Sequence, residues 1–235
     1  MTEKEPKVWY SLSDIFLEGI LREETPTRAR SRHSLSYDSP LESKFVWGLL
    51  GYLHPDVELE SQVPIDTICG RFRLDFVARH GNRRVAFECD GKEYHDERRD
   101  EWRDAMILGA EAVDVIYHFR GRDLTYYIND CLFLASQWEP DIFSSNGYLQ
   151  LKELASEKAL DYVERCSGDD HTFHQITYGM HPELDYREPM HIFVVRNSVH
   201  VAPGVNPFWK GLFQFEQKRY AGNLDDLIEQ WFKPI

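Results

Sequence analysis

Cysteine is scarce in this chain of 235 residues. There are four (Cys69, Cys89, Cys131 and Cys166), none in a C-x-x-C pair, so no zinc knuckle and no dithiol redox motif is written here. Scattered thiols of this kind read as reduced and mostly buried. No stretch approaches the roughly 18 apolar residues of a membrane span, and no apolar h-region follows Met1, which makes a soluble cytoplasmic protein without membrane association the expectation. Internal repeats and low-complexity tracts are also lacking. Positive charge is in deficit: 27 Lys and Arg stand against 40 Asp and Glu, a net charge of −13. Bulk electrostatic coating of nucleic acid is thereby excluded. The chain does have core-forming material, at 42% hydrophobic and 14% aromatic residues, enough for one sizeable domain or a domain with an elaboration.

Residues 1–38 are polar, with a short amphipathic stretch at 8–21 and a breaker- and arginine-rich segment at 25–39, and read as an N-terminal arm. Ser39-Pro40-Leu41-Glu42 announces a helix, with serine at the N-cap, proline at the first position and glutamate at the third. Phe45, Val46, Leu49, Leu50 and Leu53 follow at helical spacing. Residues 62–65 read as an edge strand because of Pro64. Two further strands, 72–79 (FRLDFVAR) and 84–90 (RVAFECD), flank a turn. Residues 96–108 read as a helix, 113–119 as a strand and 123–138 as a helix. This order predicts an α/β (α+β) domain over 39–140 with one central mixed sheet flanked by helices. Past Glu139-Pro140 the pattern resets: a helix over 148–163, strands over 171–178 and 191–201 and a closing helix over 224–232. Residues 141–235 thus form a C-terminal extension or subdomain, a place for a protein partner to bind.

The most informative local feature is the hairpin. With Gly81 and Asn82 as a two-residue loop, cross-strand partners sum to 163, so Asp75 opposes Glu88 and Arg73 opposes Asp90. Phe72, Leu74, Phe76, Val85, Phe87 and Cys89 then share the opposite, apolar face. Like charges directly opposed at roughly 5 Å repel, so a cation belongs between them. Arg73 is one candidate and a divalent ion bound by carboxylate oxygens is the other.

Residues 39–138 resemble the PD-(D/E)XK nuclease superfamily, and within it the Vsr-like (very-short-patch-repair endonuclease-like) bacterial nuclease domains. The resemblance rests on SPLE (39–42), Gln62, RLDF (73–76), FECDGKEYH (87–95), Arg99-Asp100 and Arg103. It implies a restriction-endonuclease-like fold and a Mg²⁺- or Mn²⁺-dependent endonuclease that hydrolyses phosphodiester bonds of DNA in repair, restriction or defence. Asp75, Glu88, the Cys89 backbone carbonyl and Asp90 would hold the metal. Glu42 matches the family's leading glutamate, although Ser39-x-x-Glu42 is equally a capping box. His95 matches its histidine, and an ordinary pKa near 6.5 suits a general base at neutral pH. Lys92, Tyr94, Arg98 and Arg99 would face the nucleic acid. The chain departs from the motif in two places: Asp90 stands where the (D/E)XK lysine belongs, and His118 replaces an arginine near the end of the next strand. A second reading is a catalytically inactive nuclease-fold protein whose acidic surface binds a partner or mimics DNA, and a third is a nuclease acting on RNA.

Overall fold

The computed structural model describes residues 35–91, 97–166, 175–178, 190–196 and 213–216, with the side chains of 97–101, 166 and 175–178 excepted. Residues 1–34 of the predicted 1–38 arm, the closing helix over 224–232 and residues 171–174 and 197–201 of the predicted strands lie outside them. Five helices of ten residues or more are described: α1 (Pro40–Leu50), α2 (Glu97–Gly109), α3 (Gly121–Trp138), α4 (Ser145–Leu154) and α5 (Glu157–Cys166). The six strands are β1 (Glu58–Thr67), β2 (Gly70–His80), β3 (Arg83–Asp90), β4 (Val115–Arg120), β5 (Gln175–Tyr178) and β6 (Met190–Arg196). They form one mixed sheet in the order β1-β2-β3-β4-β6-β5. The β3–β4 pairing is parallel and every other pairing is antiparallel. No helix among the described residues is long and apolar enough to cross a membrane.

Helix α1 starts where the sequence says it should. Ser39 Oγ accepts the Glu42 N–H at 3.2 Å and Pro40 occupies the first turn, where its missing N–H costs nothing. The helix buries Phe45, Val46, Leu49 and Leu50. The Phe45 ring reaches three strands, lying 5.8 Å from Phe76, 5.6 Å from Phe87 and 5.4 Å from Phe119. Helix α3 covers the same side of the sheet with Leu124, Cys131, Leu132 and Phe133, and residues from α4 and α5 complete that layer. On the opposite side, Ile107 and Leu108 of α2, together with Phe213, pack on Val63, Ile65, Leu74, Val77, Ala86, Ile116 and Val195. Because both faces are covered, the middles of β3 and β4 are buried on both sides, and the apolar runs Val85-Ala86-Phe87 and Val115-Ile116-Tyr117 lie there.

Two expectations need correction. Residues 148–163 do not make one helix: the chain breaks at Ala155–Ser156, where Asp130 accepts the Ser156 N–H at 2.8 Å and the Ser156 hydroxyl at 2.7 Å. A buried carboxylate that captures a serine offers the backbone an alternative to continuing a helix. The second concerns the hairpin faces. Phe76, Val85, Phe87 and Cys89 do share the α1–α3 side, but Phe72 and Leu74 pack on the α2 side. The switch occurs where β1 and β2 skip a pair: Ser61 partners Phe76 and Val63 partners Leu74, with Gln62 and Asp75 unpaired between them. Gln62 takes a left-handed φ of 53° there, a conformation uncommon for a residue with a Cβ. Finally, β6 pairs directly with β4, so the residues beyond 140 contribute to the same sheet.

Candidate functional site

The turn delivers the predicted register. Partners from His80↔Arg83 to Phe76↔Phe87 all sum to 163. Where Asp75 and Glu88 would come next, their carboxylates take over from the backbone ladder. Glu88 Oε1 accepts the Asp75 N–H at 3.2 Å, and Asp75 Oδ2 accepts the Cys89 N–H at 2.9 Å. The two acids are thus locked side by side on neighbouring strands. Glu88 is 6% exposed and Asp75 is half-buried.

The cation beside them is not the one anticipated. Arg73 is drawn off by Asp38, at 2.6 Å, and its predicted opposition to Asp90 yields no ion pair. Arg103 of α2 supplies the positive charge instead: its Nη2 lies 3.1 Å from Glu88 Oε1 and donates to the Arg73 carbonyl at 2.7 Å. Asp90 is engaged by His118, whose Nδ1 lies 3.1 Å from Asp90 Oδ2 and whose Nε2 lies 2.9 Å from Asp104 Oδ2. The parallel register places His118 opposite Glu88, so an Asp90–His118–Asp104 bridge runs beside the acidic pair. Glu42 satisfies its capping role. Its Oε1 accepts the Ser39 hydroxyl at 2.8 Å, while Oε2 accepts the Asp38 N–H and Gln62 Nε2, both at 2.8 Å. The left-handed turn at Gln62 thus holds Glu42 in place. The buried Gln62 Oε1 meets no hydrogen-bond partner among the described residues.

The electrostatics follow from this layout. Burial, then the nearby charges of Glu42 and Asp90, push the Asp75 carboxyl up to about 6 against the pull of the Cys89 N–H and Arg103. Burial and Asp75 push Glu88 up to about 7 against Arg103 and His118. Burial alone would lower the His118 pKa, but Asp104 and Asp90 outweigh it and raise it well above the ordinary value, so His118 is an imidazolium that donates from both nitrogens. The Cys89 thiol is pushed well above its usual range by burial and by these acids, which disfavours the thiolate as a ligand and leaves the backbone carbonyl as the donor Cys89 offers.

Among the described residues, five carboxylates (Glu42, Asp75, Glu88, Asp90 and Asp104) therefore gather around two cations, Arg103 and His118. Asp75 Oδ1 and Glu88 Oε2 accept no hydrogen bond and meet no ion-pair partner among the described residues. Hard oxygen donors in a negative surrounding suit Mg²⁺ or Mn²⁺. Of the other predicted residues, Lys92, Tyr94 and His95 lie outside the described residues, and Arg98 and Arg99 fall within the first turn of α2. Arg103 was expected either to contact phosphate or to hold its helix to the sheet, and His118 was not among the residues predicted for metal or nucleic acid. Arg103 appeared in the family motif, and His118 as a departure from it, but their pairing depends on how α2 lies across β3.

No protein-family model, no curated protein and no solved structure matches the chain.

Proposed function

We propose that the chain is a metal-dependent DNA endonuclease. The observation that carries this reading is the pair of carboxylates on adjacent strands, buried Glu88 and half-buried Asp75, each bound through one oxygen, with raised pKa values and with Asp75 Oδ1 and Glu88 Oε2 open. Two like charges on adjacent strands are costly, and Arg103 pairs with only one of them. Asp75, Glu88 and the Cys89 carbonyl would hold Mg²⁺ or Mn²⁺, which would polarise a phosphodiester and lower the pKa of bound water. Arg103 fixes the orientation of Glu88 and supplies a guanidinium suited to phosphate oxygens. His118 holds Asp90 in place. Gln62 and Ser39 do the same for Glu42. His95 is the proposed general base, with Lys92, Tyr94, Arg98 and Arg99 toward the nucleic acid.

The experiment is conversion of supercoiled plasmid to open-circle or linear forms by the full chain with Mg²⁺ or Mn²⁺. Asp75→Asn should lower the rate at least about 100-fold, the scale expected when a charge-stabilising group is lost from such a site. Unchanged cleavage by Asp75→Asn removes the proposal.

Two observations favour a second reading, a catalytically inactive nuclease-like protein that binds through its acidic surface. Arg103 already neutralises part of the pair, and the net charge of −13 opposes a polyanion. Calorimetry separates the two: the inactive protein shows no Glu88-dependent Mn²⁺ binding. Parallel assays on RNA decide the substrate class.

A further inference from the structure

At the far end of the same hairpin, a second group of donors gathers from segments that the acidic cluster does not use. His80 ends β2, five residues beyond Asp75, or about 17 Å along an extended strand. Its ring stacks on that of His54, with centroids 4.5 Å apart and planes inclined by 26°. Asp56 lies two residues beyond His54, and its Oδ2 is 3.8 Å from His54 Nδ1. One potential ligand atom from each of His54, Asp56 and His80 falls within 4.8 Å of the other two.

The hydrogen bonds around these rings set which nitrogens carry lone pairs. His80 Nδ1 lies 2.5 Å from the Asp141 carbonyl oxygen. A carbonyl only accepts, so Nδ1 bears the proton and Nε2 is the lone-pair nitrogen in the neutral ring. A carbonyl that orients a histidine through its other ring nitrogen is the usual support behind a metal ligand. His54 Nδ1 accepts the Asp56 N–H at 3.2 Å, so Nδ1 is its lone-pair atom. The loop that carries His54 is itself pinned, since the His54 N–H donates to Ile142 O at 2.8 Å and the Val57 N–H to His54 O at 3.0 Å. His54 and His80 are half-buried and Asp56 is exposed, so an ion has an entry path.

We infer that His54, Asp56 and His80 form a site for a borderline transition-metal ion of the Zn²⁺ class, bound through two imidazoles and one carboxylate with a further position open to water. Two nitrogens and an oxygen match that class, whereas Mg²⁺ and Ca²⁺ prefer oxygen alone. Tetrahedral ligation with bonds of roughly 2.0–2.1 Å separates neighbouring donors by about 3.4 Å, so His54 and Asp56 close from 3.8 Å and the remaining pairs from 4.8 Å at most, by side-chain rotation. The bound ion displaces the Asp56 N–H from His54 Nδ1. It ties the hairpin turn to the loop before β1 and, through the Asp141 carbonyl, to the connection between α3 and α4. The inference is independent of any nuclease activity.

The test uses the untagged full chain with Zn²⁺ as the probe, its affinity measured by competition with a chromophoric chelator, and Cu²⁺ paramagnetic resonance to count nitrogen ligands. The expected result is a single site at which His54→Gln and His80→Gln each weaken Zn²⁺ binding by more than about 10-fold, with two nitrogens coupled to Cu²⁺ in the wild-type chain. Asp75→Asn should leave that affinity unchanged, which separates this site from the acidic cluster. If His80→Gln disturbs folding through loss of the Asp141 contact, His54→Gln and the wild-type resonance spectrum still decide. No measurable Zn²⁺ binding, equal binding by His54→Gln, or a Cu²⁺ signal without two nitrogens overturns the inference.

Discussion

Glu88 and Asp75 carry a stability cost that pH should reveal. Both folded-state pKa values, about 7 and about 6, lie above those of ordinary carboxyls, so the folded chain holds protons that the unfolded chain has already released. For such groups stability is greatest below the unfolded pKa and falls as pH rises toward the folded one. The window runs from about 4.5 to 7 for Glu88 and from about 3.8 to 6 for Asp75. For Glu88 alone the loss is on the order of 3 kcal/mol. His118 adds to the same trend: its raised pKa gives stability that is complete below about 6.5 and is lost as pH rises through the folded value. In EDTA, the free energy of unfolding should therefore decline from pH 5 to pH 8, and Glu88→Gln should flatten the decline by keeping a neutral side chain of the same shape. Urea titrations at several pH values measure both slopes. A wild-type chain that grows more stable over this range, or a Glu88→Gln slope equal to wild type, would refute the assignment.

Among the elements, the β2–β3 hairpin was the most legible. A glycine at φ 56° in a two-residue turn fixes the register, and register fixes which residues meet. Asp75 and Glu88 could therefore be paired from the sequence alone, as could the cap that starts α1. The face switch at Gln62 could not, because left-handed glutamine is a tertiary accommodation held by Glu42 and carries no local signal. Nor could His54 and His80 be joined, since the loop between α1 and β1 must first pack against the α3–α4 connection. That packing hinges on Gly147 in the first turn of α4, near the Ser144 hydroxyl that accepts its N–H. A Cβ at Gly147 would lie 2.3 Å from Tyr52 O and 2.7 Å from Tyr52 Cα, and the clash is with backbone, which cannot swing aside. Alanine normally favours a helix over glycine by roughly 0.5–1 kcal/mol, but overpacking against a fixed neighbour costs about 1–3 kcal/mol. Gly147→Ala should therefore destabilise by a net ~1 kcal/mol and lower the urea midpoint; a midpoint at or above wild type would show that the helix shifts freely.

Over the whole molecule, the two halves of the chain meet in a buried charge network centred on Glu139, at the end of α3. Glu139 Oε2 accepts Arg83 Nε at 2.8 Å and Nη2 at 2.5 Å, while Oε1 accepts the Tyr117 hydroxyl at 2.9 Å and Arg196 Nη1 at 2.7 Å. Arg196 Nη2 also donates to the Tyr117 oxygen at 2.9 Å. One carboxylate thus connects the hairpin turn, β4 and β6, and Glu139 is only 1% exposed. Buried ion networks contribute little net stability over well-packed apolar groups, but removing one member leaves charges stranded, at about 3–5 kcal/mol. Glu139→Ala would leave the two guanidiniums without the carboxylate they share, so a loss of that size is expected. Because β6 belongs to the same sheet as β3 and β4, the loss should fall on the whole sheet and not only on the residues after 140. Tryptophan fluorescence and far-ultraviolet circular dichroism during urea unfolding should then report one coincident transition in the wild-type chain, moved as a unit to lower urea in Glu139→Ala. Two separated transitions, with only the later half of the chain affected, would mean that residues 141–235 fold as an independent appendage and that the Glu139 network does not couple them to the hairpin.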